Sequence, residues 1–297
     1  MIDDYRCGYV ALVGRPNVGK STLLNRLVGQ KVSITAHRPQ TTRHRILGIH
    51  TREDAQVIYV DTPGIHEGQR QAINRWMNRA AANAIEDVDV VVFLIDGTTW
   101  TALDQTIAER IAALGKASLL AINKVDKITN KEALLPFIEE LASDHRFEGY
   151  VPISARRGTN VSDLEGQIVE RLPVAPPVFP EDQITDRSMR FVAAEIVREK
   201  LTRRLGQEVP YRLTVEIETF EEQRRSAHVG AIVWVERESH KAIVIGKQGR
   251  ILKEIGTASR VDIEAQLGKR VHLDLWVKVR SGWADNENLL RRFGYEQ

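Results

Sequence analysis

The sequence predicts an α/β domain with a mixed, mostly parallel sheet, followed by a smaller α+β domain. Three observations carry this reading. From Tyr9 to Leu172, unbroken apolar runs alternate with helix-length segments, the pattern of parallel strands buried on both faces. The stretch Pro173-Val174-Ala175-Pro176-Pro177-Val178-Phe179-Pro180 then ends that alternation, because proline lacks an N–H and fixes φ. Beyond it, strands and helical segments resume in a different order.

A chain of 297 residues has room for two domains of roughly 150 residues each. We place the first at residues 1–172, a semi-rigid connector at 173–189, and the second at 190–297 with a C-terminal extension. In the first, strands are expected at Tyr9–Val13, Val57–Val60, Val88–Ile95, Ser118–Ile122 and Tyr150–Ile153, with helices at Gln71–Ile85, Leu103–Leu114 and Glu132–Leu141. Arg45–His50 is expected to pair antiparallel with Ala55–Val60 across the polar Thr51-Arg52-Glu53-Asp54 turn. The second domain is expected to run as a helix (Phe191–Leu205), strands Leu213–Thr219 and Ala231–Glu236, and an apolar run Lys241–Ile245. Helical segments Ile251–Ile255 and Ala258–Leu267 and a last strand, Val271–Val279, follow.

Net charge is only +2, so any nucleic-acid surface must come from local clustering of basic residues. The single cysteine, Cys7, excludes an internal disulfide, points to a reducing compartment and reads as an inert buried thiol. The polar, acidic start does not resemble a signal peptide. No apolar run approaches the ~20 residues of a membrane span. A cytoplasmic monomer is expected.

Gly14-Arg15-Pro16-Asn17-Val18-Gly19-Lys20-Ser21 fits G-x-x-x-x-G-K-[ST], after a buried strand and before a helix. Its glycines allow backbone N–H groups to converge on phosphate oxygens at the positive helix end. Lys20 is expected at the β- and γ-phosphates, Ser21 on Mg²⁺, and Thr22 beside them in the first helical turn. Asp61-Thr62-Pro63-Gly64 follows a strand, so Asp61 can hold Mg²⁺ through a water and Gly64 can offer its N–H to the γ-phosphate. Asn123-Lys124-Val125-Asp126 follows another strand. Asp126 can accept from guanine N1–H and N2, a pairing adenine lacks. The Lys124 stem can lie along the base, Asn123 can tie this loop to the phosphate loop, and Ala155 of Ser154-Ala155 can donate to guanine O6. In Thr41-Thr42-Arg43, Thr42 is the candidate that completes the Mg²⁺ shell when the γ-phosphate is present.

Together these motifs resemble the translation-factor class of P-loop GTPases over residues ~8–172. The wording Gly-Arg-Pro-Asn-Val-Gly-Lys-Ser, Thr-Thr-Arg and Asp-Thr-Pro-Gly is similar to the TrmE, Era and Der branch. The resemblance implies GTP and GDP as ligands with Mg²⁺. Ile65 stands where Ras-like relatives carry a water-positioning glutamine, so slow intrinsic hydrolysis is expected. No catalytic side chain stands out, and in relatives an asparagine at the place of Asn17 supports a K⁺ ion near the phosphates.

In the second domain, Gly246-Lys247-Gln248-Gly249 is followed by Arg250 and Lys253 at a helix start. This G-x-x-G loop, in its order of elements, resembles the prokaryotic, type II KH module, which clamps about four nucleotides. The expected RNA contacts are Gly246, Lys247, Gln248, Gly249, Arg250 and Lys253. Lys269, Arg270, Lys278 and Arg280 add charge near the last strand. Trp276 alternates with Leu275 and reads as packing, whereas Trp283, in a Gly-Trp turn, reads as an RNA contact.

One such G domain joined to one KH domain is similar to the Era family, as are Gln40–Ile46, Phe179–Ser188 and His272–Val279. Der-like chains carry two G domains and TrmE-like chains end in a cysteine motif, and neither is present here. The resemblance implies a GTPase switch that binds the 3′ end of 16S ribosomal RNA and assists 30S subunit assembly and rRNA maturation. It also implies peripheral association with the inner face of the membrane. An RNA-binding protein with a relic nucleotide domain is the alternative, against which the intact motifs argue.

Overall fold

The computed structural model describes residues 4–38, 40–64, 71–206 and 208–295. Helices and strands follow in chain order. The first stretch holds β1 (Arg6–Val13), α1 (Lys20–Val28), β2 (Ile46–Thr51), β3 (Ala55–Asp61), α2 (Ala72–Glu86), β4 (Val90–Asp96), α3 (Ala102–Leu114) and β5 (Ala117–Asn123). Next come α4 (Leu134–Asp144), β6 (Gly149–Pro152), α5 (Val161–Val169), α6 (Met189–Arg204), β7 (Leu213–Glu222), β8 (Ser226–Val235) and α7 (Glu238–Ile245). The last are α8 (Arg250–Leu267), β9 (Arg270–Val279) and α9 (Glu287–Arg292). The chain divides into two compact units: Met1–Ser33, Thr42–Glu67 and Met77–Asp186 form one, and Ile34–Thr41, Gly68–Trp76 and Arg187–Gln297 the other.

The first unit is a six-stranded sheet in the order β2-β3-β1-β4-β5-β6. Every pairing is parallel except β2 with β3. The apolar runs are central strands because both faces are covered: Val90 to Ile95 are all fully buried. α3 begins with a reciprocal cap, in which Thr101 Oγ1 accepts from Asp104 N and Asp104 accepts from Thr101 N. α1 begins differently. Its N-cap is Gly19 at φ 109°, with no side chain satisfying the first-turn N–H groups, so those donors remain for a ligand.

The connector behaves differently from a plain spacer. Buried Gln56 accepts from the N–H groups of Val178 and Phe179 (2.8 and 2.9 Å) and donates to the Phe179 carbonyl at 2.8 Å. Ile49 N–H donates to the Ile184 carbonyl, and Gly48 bridges Thr185 on the open side of β2. The proline-rich stretch thus covers a sheet edge, and the first unit extends to Asp186.

In the second unit β7, β8 and β9 form a sheet, antiparallel then parallel. Val229, Ala231 and Val233 of β8 pack with Ile196 and Val197 of α6 and Ile255 and Ile263 of α8. The apolar run Lys241–Ile245, left unassigned between strand and helix by its pattern, lies in helix α7. Two expectations need correction. The two helical segments after α7 are one helix, α8, which runs through Gly256. The tryptophans also differ from expectation: Trp283 is fully buried, in edge contact with Phe293, while Trp276 lies over Gly230 and is 44% exposed.

This unit also holds Ile34–Thr41. Thr35 N–H donates to Glu199 at 2.9 Å, and Arg198 donates to the Thr41 carbonyl. Arg198 is buried and paired with Glu195 at 2.6 Å.

Candidate nucleotide pocket and RNA groove

The phosphate loop lies between β1 and α1. Gly14 (φ 147°), Asn17 (φ 66°) and Gly19 (φ 109°) all take positive φ. A Cβ at Gly14 would stand 2.4 Å from the Leu94 carbonyl oxygen, and one at Gly19 would stand 2.2 Å from Asn123 Nδ2. Glycine is therefore required at both for conformation and for space. Lys20 is buried and donates to the Gly14 and Arg15 carbonyls at 2.9 and 3.0 Å, curling the loop around its ammonium. Burial lowers its pKa to about 8, against the opposing charge of Asp61. Val18 is buried, and Thr22 is half-buried in the first turn of α1.

Ser21, Thr42 and Asp61 converge from three separate parts of the chain. Ser21 Oγ lies 2.7 Å from Thr42 Oγ1 and donates to Asp61 Oδ2 at 2.7 Å. Ser33, which carries no signal in the sequence, also donates to Asp61 Oδ2, at 2.8 Å. Asp61 Oδ1 is buried with no hydrogen-bond donor among the described residues. Burial raises the Asp61 pKa, while Lys20 and the three hydroxyls pull it down. A buried carboxylate oxygen lacking a donor, beside two hydroxyls, fits the oxygen set that Mg²⁺ takes. Gly64 sits against the loop, since a Cβ there would stand 2.9 Å from the Pro16 backbone. Ile65 lies outside the described residues.

The base-side loops are tied to the phosphate loop by direct bonds. Asn123 Nδ2 donates to the Val18 carbonyl at 2.7 Å, and its Oδ1 accepts from Ala155 N–H at 3.0 Å. Lys124, at φ 65°, donates to the Asn17 carbonyl and to Asp96, at 2.7 and 2.5 Å. Asp96 at the end of β4 was not anticipated, although an acid at a strand end facing this loop is a readable signal. Ser154 Oγ donates to Asp126 at 2.6 Å, which holds the Asp126 carboxyl below its usual range, with Arg157 nearby adding to the effect. Asp126 is thus ionised and oriented as an acceptor pair.

In the second unit, Gly246 (φ 71°), Gln248 (φ 53°) and Gly249 (φ 75°) bend the loop, and Gly249 caps α8 without a side-chain bond. Lys247, Gln248, Arg250 and Lys253 are exposed. Arg250 pairs with Glu254 at 2.9 Å, and Arg204 donates to the same carboxylate, so part of this charge is already compensated. A groove of about 370 Å³ runs from Gly249 and Lys253 along α8 to Leu273 and Leu275 of β9, with Arg260 at its side. Sequence reading missed Arg260 and the β9 wall, which become neighbours of the loop only through the fold. Buried Trp283 is withdrawn as an RNA contact.

Two family models match the chain. Residues 9–124 match the family described as 50S ribosome-binding GTPase, and residues 208–284 match the KH domain. GTPase Era of Pseudomonas aeruginosa is 53% identical over 290 residues, 98% of this chain and 95% of that protein. GTPase Era of Coxiella burnetii is 52% identical over 291 residues, 98% of each. A crystal structure of Era in complex with MgGDPNP and nucleotides 1506–1542 of 16S ribosomal RNA superposes with a TM-score of 0.96 at 42% identity, covering 99% of this chain and 100% of that one. Aquifex aeolicus Era bound to GDP and AlF4⁻ gives 0.95 at 42% identity, covering 98% and 100%. Fold and sites define the class, a P-loop GTPase joined in one chain to a KH domain. The chain belongs to the Era family of GTPases. Among the described residues no helix is long and apolar enough to cross a membrane.

Proposed function

We propose that this GTPase holds Mg²⁺ and GTP in the pocket around Lys20 and clamps the 3′ end of 16S ribosomal RNA in the groove at Gly246–Gly249. In this reading it assists 30S assembly and rRNA maturation as a cytoplasmic monomer that also visits the inner membrane face. The observation that carries the reading is the convergence of Ser21, Thr42 and Asp61 beside a buried lysine. The N–H groups of Gly14 and of Asn17 to Ser21, with Thr22 beside them, cradle the phosphates, and Gly64 contributes its N–H at the γ-phosphate. Ser21, Thr42 and Asp61 hold Mg²⁺, which neutralises the charge of the β- and γ-phosphates. Asn123, Lys124, Asp126, Ser154 and Ala155 bind guanine. Asn17 helps seat a K⁺ ion near the β- and γ-phosphates, a cation in the place of an arginine finger. On the RNA side, Lys247, Gln248, Arg250 and Lys253 meet the phosphates, with the two glycines allowing close backbone approach.

The switch reading is supported by the course of the chain. Ile34–Thr41 is held by Glu199 and Arg198 of α6 and leads directly into Thr42. Nucleotide that moves Thr42 therefore pulls on a segment anchored to the RNA-binding unit, and by reciprocity RNA must favour the same nucleotide state. The test is titration of a 3′-terminal 16S rRNA fragment onto the protein loaded with a nonhydrolysable GTP analogue, then with GDP. Affinities should differ by roughly 5- to 150-fold. Equal affinities would remove the gating, and no binding in either state would remove the RNA assignment.

A further inference from the structure

The face of the β7–β8–β9 sheet opposite the core carries a second set of ligand-bearing side chains. Strand alternation decides which residues share it. Ala227 and Val229 of β8 enter the core, as do Val271 and Leu273 of β9, so His228, His272 and Asp274 point the other way. The parallel register sets His228 beside His272, and the antiparallel register sets Glu221 opposite His228. Three strands thus present Glu221, His228 and His272 in one row, with Asp274 next along β9.

The distances are close to those of a coordination sphere. His228 Nε2 lies 2.8 Å from Asp274 Oδ2, and His272 Nε2 lies 3.5 Å from Asp274 Oδ1. One ligand atom from each of the three residues lies within 4.8 Å of the other two. Tetrahedral ligands at zinc-like bond lengths stand roughly 3.3–3.4 Å apart, so closure needs side-chain motion of about 1–1.5 Å. The side chains are 43%, 75% and 39% exposed, which leaves them room for that rotation. A hydrogen bond between His228 and Asp274 explains one pair. It does not explain a second imidazole facing the other oxygen of the same carboxylate. Two carboxylates, Asp274 and Glu221, outweigh Arg270, the cation nearest in register on this face.

We propose that His228, His272 and Asp274 form a divalent transition-metal site, with Glu221 placed to supply a fourth ligand. Two imidazoles and a carboxylate select Zn²⁺, Co²⁺ or Ni²⁺ over Mg²⁺, so the site is chemically separate from the nucleotide pocket. Leu273 and Leu275, on the opposite face of the same strand, line the RNA groove. An ion here cross-links β8 to β9 directly behind that wall.

The experiment is a Co²⁺ titration of the tag-free full chain loaded with MgGDP, read by visible absorption and repeated with excess Mg²⁺. One equivalent of Co²⁺ should bind, resist Mg²⁺ and be displaced by Zn²⁺. His272→Gln and Asp274→Asn should each weaken Co²⁺ binding at least ~10-fold. The metal-free unfolding midpoint and GDP affinity should not change, which separates a lost ligand from a damaged fold. Absence of a saturable Co²⁺ signal, displacement by Mg²⁺, or undiminished binding in His272→Gln would overturn the site.

Discussion

The two glycine loops of this protein use the same backbone device and enclose it differently. Both lead into a helix capped by a positive-φ glycine, Gly19 before α1 and Gly249 before α8, and neither helix has a side-chain cap. Both also hold a non-glycine residue at positive φ, Asn17 and Gln248. Around the first loop, added atoms collide with Leu94 and Asn123, and the lysine is buried. At Gly249 an added Cβ meets nothing within 4 Å, at Gly246 it meets the Ile251 side chain, and Lys247 is exposed. A walled loop selects one small ligand by shape and by hydrogen bonds. An open loop grips a polymer by its repeating charge and leaves specificity to the groove beside it.

The sharpest test of the walled side is Asp126→Asn. Loss of an oriented, ionised acceptor pair should lower GTP affinity roughly 100-fold and favour xanthine nucleotides, whose 2-keto group accepts from the new amide. Nucleotide titration showing equal GTP affinity in both proteins would remove Asp126 from base reading. On the open side, Gly249→Asp should weaken RNA binding at least ~10-fold through charge repulsion. Asp tolerates positive φ better than most residues, so GTP affinity should stay within about twofold.

A third outcome separates the loops by pH. Burial lowers the Lys20 pKa to about 8, whereas phosphates restore the charged form, so nucleotide binding takes up a proton above that pH. Affinity should fall toward tenfold per pH unit between about 8 and the ordinary lysine value. In the same window the nucleotide-free protein gains stability, because its unfolded form binds more protons than the folded one. Calorimetry at pH 8.5 in buffers of differing ionisation enthalpy reads the uptake directly. The smallest effect concerns Asn17. Its positive φ suits glycine, so Asn17→Gly should keep nucleotide binding and lose stimulation of GTP turnover when K⁺ replaces Na⁺. Stimulation that survives in the variant would remove the side chain from the ion site.

The parallel strands of the first unit were readable because burial on both faces leaves an unbroken apolar run, as at Val90–Ile95. The phosphate loop and Asn123–Asp126 were readable because their bonds run between strand ends that the motif order already places together. Ser33 was not, since a serine in a loop without periodicity gives no hint that Asp61 is near. Nor was α5, a short helix that starts at a positive-φ asparagine, Asn160, with no side-chain cap bond to announce it. The two tryptophans show where alternation stops being informative. It assigns Trp276 to one side of a strand, but does not say whether that side is covered. Trp283 turns inward because the segment carrying Phe293 returns beside it, a contact no local pattern encodes.

Gln56 has a practical consequence for anyone who wishes to divide the chain. Its amide is fully buried and bonded to Val178 and Phe179. A cut at Pro173, where composition changes, would strip those partners, leave Gln56 only Thr51 and the Cys7 thiol, and uncover the β2 edge. Limited proteolysis should therefore spare 173–186 in the folded protein, and a nucleotide-binding fragment ending at Asp186 should be more soluble than one ending at Leu172. The visible seam in the amino-acid text is the hem of the first unit, stitched inward, and the place to cut lies a dozen residues beyond it.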